Sequence, residues 1–83
     1  MKTGIEHMYE QFKSMSEAIA EWLAEPNEIS LMLALDYINY IEGIAFAALM
    51  AHKENTNDSD IAVRMHREAR TLRSFYYEKK RSQ

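Results

Sequence analysis

Three histidines, six serines and several closely spaced carboxylates are the residues of this chain that could do bond chemistry. A helical zinc or di-iron site needs His at i, i+4 or a Glu-x-x-His pair, so that two ligands share one face. His7, His52 and His66 fit neither pattern. They are expected to be ordinary surface histidines, and no metal or cofactor is expected. Ser14, Ser16, Ser30, Ser59, Ser74 and Ser82 lack the glycine-framed elbow that exposes a nucleophile. Without cysteine there is no thiol nucleophile, no disulfide and no Cys-based zinc site. Gly4 and Gly43 are too far apart to form a phosphate-cradling loop. The pairs Glu6/Glu10 and Glu17/Glu21 sit one helical turn apart, but on a face expected to be solvated, where no carboxyl pKa would move. The chain is therefore not expected to be an enzyme.

Recognition is the better-supported chemistry, and three groups of residues could carry it. Asp36, Asn39, Tyr40 and Gly43 step by three, one and three, which places them in one strip of an otherwise apolar helix. A carboxylate buried there would need a partner or would take up a proton, and the arginines of the last helix are the candidates within the chain. Exposed, the strip would be a recognition surface, with Gly43 allowing another backbone to come close. The second group is an acidic row on the first helix, where Glu6, Glu10, Glu17 and Glu21 fall within about 60° of one another. Glu25 and Glu28 extend it around the first turn. Such a row fits a basic protein surface, although it is too sparse to imitate a phosphate backbone.

The third group is basic. Residues 1–58 hold ten acids against three lysines, whereas residues 59–83 hold seven basic residues against three acids. Net charge is −3 overall. Arg64, Arg67, Arg70 and Arg73 step by three and therefore fan around the helix instead of lining one stripe. Arg67, Arg70, Arg73, Lys79, Lys80 and Arg81, with Tyr76 and Tyr77 beside them, are the residues a nucleic-acid-binding alternative would use.

The elements that position these groups are helices. Ile5, Met8, Phe12, Met15, Ile19 and Trp22 recur at alternating steps of three and four, which predicts a first helix over about 4–24. Tyr9 and Leu23 widen its stripe, Thr3 with Glu6 has the spacing of a capping box, and Pro26 stops it. A second helix over about 28–53 is expected to start at an Asn27 cap. Two apolar seams run along it: Leu31, Ala34, Ile38, Ile41, Ala45 and Ala48, and then Leu33, Tyr37, Tyr40, Ile44 and Ala47. A helix apolar on most of its circumference is covered by more than one neighbour. A third helix over about 59–80 carries Ile61, Met65, Ala69, Leu72, Phe75 and Tyr76 in one arc, and residues 81–83 are expected to fray.

Short connections make consecutive helices antiparallel neighbours, so the expected fold is a single all-α domain over 1–83, an up-down-up three-helix bundle completed by dimerisation. At 83 residues and 47% apolar composition the chain is neither disordered nor large enough for a second domain. A bundle this small buries about 60–65% of its unfolded surface, which makes a second copy or another partner reasonable. The stretch Ile29–Ala51 is long enough to span a bilayer, but Asp36 and Glu42 would each cost up to ~2.5–3.5 kcal/mol there. The first residues have no apolar signal core either. A soluble cytoplasmic homodimer without membrane contact is therefore expected. In size and composition the chain resembles small helical accessory proteins such as phage-encoded inhibitors, secretion chaperones and antitoxin-like regulators. That likeness covers no motif and transfers no functional residue. The leading expectation is a non-enzymatic module that binds and occludes a protein partner. Glu10, Glu17 and Glu21 are its first candidate contacts, and Asp36, Asn39 and Tyr40 its second.

Overall fold

A computed structural model describes residues 4–52 and 57–83. Three helices account for nearly all of them: α1 (Gly4–Ala24), α2 (Glu28–Ala51) and α3 (Asn57–Arg81). No strand occurs among the described residues. Each helix packs against both others, giving an elongated bundle of 42 × 22 × 15 Å.

Local chemistry explains the boundaries. Asn27 holds extended backbone and caps α2, its Oδ1 accepting from the Ser30 amide at 2.9 Å. Ser30 returns the favour by accepting from the Asn27 amide through its hydroxyl at 2.8 Å. This reciprocal box satisfies two amides the first turn leaves open. Helix α2 ends at Ala51, two residues earlier than expected, where the His52 amide donates to the Ala48 carbonyl at 3.0 Å. The proposed Thr3 capping box lies outside the described residues. In α3, Asp58 and Asp60 occupy the first turn and Lys79, Lys80 and Arg81 the last, each charge opposite to the helix dipole beside it. The helix runs through Arg81, and Ser82 donates back to Glu78 and Lys79, so ordered helix reaches further into the basic tail than residue 80.

The core follows the first α2 seam and the α1 seam. Phe12, Ile5, Ile19, Ile38, Ile41 and Met65 are the largest fully buried side chains. Between them sit Ala34, Ala45, Ala48, Ala62 and Ala69, small enough to let the three helices approach closely. Trp22 meets Tyr37 edge-on at 4.8 Å between ring centroids, tying α1 to α2. In the second α2 seam, Leu33, Tyr37 and Ile44 are half-buried, and Tyr40 and Ala47 are exposed in the part of the helix that α1 and α3 leave uncovered. One expectation is corrected. On α3, Phe75 is 49% exposed because Tyr76 beside it takes the core position at 4%.

Candidate interaction surface

Helix α2 buries Leu31, Ile38 and Ile41 along with its small residues, and it also holds several large side chains outward. Ser30, Ala34, Ala45 and Ala48 are buried, whereas Ile29, Met32, Tyr40, Phe46 and Met50 stand 50–65% exposed. Asp36, Asn39, Gly43 and Ala47 are exposed along the same face. The outward positions from Ile29 to Met50 therefore form a strip nearly as long as the helix, apolar except for Asp36 and Asn39. An ideal Cβ placed on Gly43 would have nothing within 4 Å. Beside it a shallow groove of about 440 Å³ opens between α1 and α2, lined by Met8, Gln11, Tyr40, Gly43 and Ile44 among others.

One edge of the strip is held by a polar network from α3. The Arg73 guanidinium donates through Nε to Glu42 Oε2 at 2.7 Å and through Nη2 to Glu42 Oε1 at 2.5 Å, a two-pronged ion pair. The same Nη2 donates to Asn39 Oδ1 at 2.6 Å, and Nη1 donates to the Tyr77 hydroxyl at 3.1 Å. Hydrogen bonding from Arg73 holds the Glu42 carboxyl below its ordinary range, against the opposing effect of partial burial. The charges of Arg73 and His66 lower it further. Its bond to Glu42 likewise raises Arg73 above its already high value. The arginines of α3 were the expected partners of the Asp36 strip. Arg73 does reach Asn39, but its carboxylate is Glu42; Asp36 faces outward and is not buried.

The acidic row keeps to the outside of α1: Glu6, Glu10, Glu17 and Glu21 are all exposed, while Phe12, Ile19 and Leu23 point inward. Glu28 and Lys80 border one groove, and the Arg73–Glu42 pair joins the basic half of the chain to the acidic one. The basic residues do not gather into one patch. Arg67 and Arg70 are exposed, Lys79 is half-buried beside Ala20, Leu23 and Phe75, and Lys80 lies 5.9 Å over the Tyr76 ring. Arg81 is exposed at the end of α3.

No cluster of three or more His, Asp or Glu side chains among the described residues could hold a metal ion. His7 is exposed, His66 is half-buried, and His52 lies 3.6 Å from Asp58 where α2 and α3 meet. The buried Ser16 hydroxyl has no hydrogen-bond partner and borders a groove with Arg67, Glu68 and Thr71, which offers no imidazole to activate it. Sequence reasoning missed Ile29, Met32, Phe46 and Met50 as surface residues. Their signal was present: with Asp36, Asn39 and Gly43 they recur at alternating steps of three and four.

Helix α2 is also long and apolar enough to cross a membrane by length and composition, a test that the core helix of a soluble bundle passes equally. Comparison with known protein families, with curated proteins and with solved structures finds no match.

Proposed function

We propose that this chain is a small non-enzymatic interaction module that works as a homodimer and acts by binding and covering a surface of another protein, as an inhibitor, adaptor or chaperone does. The outward face of α2 carries the reading. Five large side chains held half exposed or more along one face of a single helix make a surface suited to another protein. The acidic row Glu10, Glu17 and Glu21 lies on a different side of the bundle, where a basic partner surface can meet it. Residues Asp36, Asn39 and Tyr40 serve as the second contact set. Residence in the cytoplasm belongs to the same proposal.

The alternative, a nucleic-acid-binding regulator using Arg67, Arg70, Arg73, Lys79, Lys80 and Arg81, is weakened by the commitment of Arg73 to Glu42. A membrane-surface role is weakened by the composition of α2, which has no lysine or arginine for lipid phosphates. Capture from lysate at low salt, with and without nuclease, tests the reading. Stoichiometric protein retained after nuclease, and lost on Glu17→Lys with Glu21→Lys at unchanged helical circular dichroism, is the expected result. Retention of nucleic acid alone overturns it.

A further inference from the structure

The outward strip of α2 has the periodicity of a helix that lies lengthwise on another helix. From Ile29 through Met32, Asp36, Asn39, Gly43 and Phe46 to Met50, the steps alternate three and four. We propose that this strip is the seam of an antiparallel homodimer, α2 against α2 of a second copy, with the two-fold axis crossing at the level of Asn39–Gly43. The proposal rests on the reading of the chain as a homodimeric module and specifies the surface and direction of its pairing.

Area comes first. Side chains of this size carry roughly 150–250 Å² when fully exposed, so the five large ones present on the order of 500–700 Å². With Gly43, Ala47, Asn39 and the flanking Tyr77, the strip approaches the ~800 Å² that each partner contributes to a standard stable interface. Gly43 comes next. A glycine inside a helix is less favourable than alanine, and no side chain or neighbouring helix comes within 4 Å of its missing Cβ. A second helix passing over it makes use of that open space.

Charge sets the direction. In a parallel pair Asp36 would face Asp36, a like-charge contact in a desolvated seam. In an antiparallel pair centred between Asn39 and Gly43, Asp36 faces the level of Phe46 in the second copy. The two Asp36 carboxylates then stand ten residues, about 15 Å, apart along the seam. Antiparallel helices also place opposite dipole ends side by side.

The chain has no cysteine, so introduced cysteines and a short bismaleimide report the geometry. Asn39→Cys, near the axis, is expected to cross-link to itself. Met32→Cys alone and Met50→Cys alone are not, because each would stand about 27 Å from its own copy. An equimolar mixture of those two variants is expected to cross-link. Helical circular dichroism checks that each variant folds. Self-cross-linking of Met32→Cys in a protein that still dimerises overturns the antiparallel seam and leaves the homodimer standing. A monomer that instead co-sediments with phosphatidylcholine–phosphatidylglycerol vesicles overturns both.

Discussion

Replacing Arg73 with methionine keeps the stem of the side chain and removes every donor of the α2–α3 network. Glu42 then loses a two-pronged partner at 2.5 and 2.7 Å, and Asn39 and Tyr77 each lose one hydrogen bond. The magnitude follows from exposure. Arg73 and Glu42 keep 27% and 33% of their side-chain surface, between a solvated pair and a buried one. Solvated pairs contribute about 0.2–1 kcal/mol, and breaking buried ones costs about 3–5 kcal/mol. With the carboxylate still able to hydrate, Arg73→Met should cost about 1–2 kcal/mol, or roughly 4–16 °C in Tm for a domain this small. A double-mutant cycle with Glu42→Gln, read by urea unfolding at one fixed protein concentration, should return a coupling of about 1 kcal/mol. The pH dependence has a definite sign. Glu42 is held below its ordinary value of 4.5 in the folded protein, so its contribution is full above that value and fades as pH falls through the lower folded one. A coupling within about 0.3 kcal/mol of zero at neutral pH would mean that the two groups do not act together and would refute the network.

Gly43→Ala separates the protomer from its assembly. With open space at the missing Cβ, alanine should stabilise the dilute protomer by about 0.5–1 kcal/mol, yet weaken the dimer where the helices cross. Unfolding curves at low and high protein concentration show both signs, and a loss in the dilute protomer would contradict the helix geometry. Asn27→Ala removes the acceptor for the Ser30 amide and should cost about 1 kcal/mol in urea unfolding. A change within a few tenths would mean the α2 N-terminus does not depend on its cap.

The fold was largely legible because its signals are local. The α1 seam and Pro26 fix one helix, and Asn27 fixes the start of the next. Helix α2 was harder, because periodicity reveals apolar arcs without telling which of them the neighbours cover. Packing decides: the arc with Leu31, Ala34, Ile38, Ile41, Ala45 and Ala48 faces α1 and α3, and the opposite arc with Met32, Phe46 and Met50 falls outside. The ion pair was misplaced for a related reason. Asp36 and Glu42 are six residues apart and hence about 120° apart around the helix, and only the packed register of α3 puts Glu42 within reach of Arg73. Phe75 and Tyr76 share one arc in sequence, and packing admits only one of them to the core.

The mass of the native protein in solution tests the central claim most directly. Light scattering behind size exclusion, across micromolar concentrations at physiological salt, should return twice the 9.7 kDa chain mass. Met32→Lys with Phe46→Lys should reduce it to one chain at unchanged helicity. A wild-type mass of 9.7 kDa throughout that range, with the α2 strip left bare in a stable monomer, would contradict it.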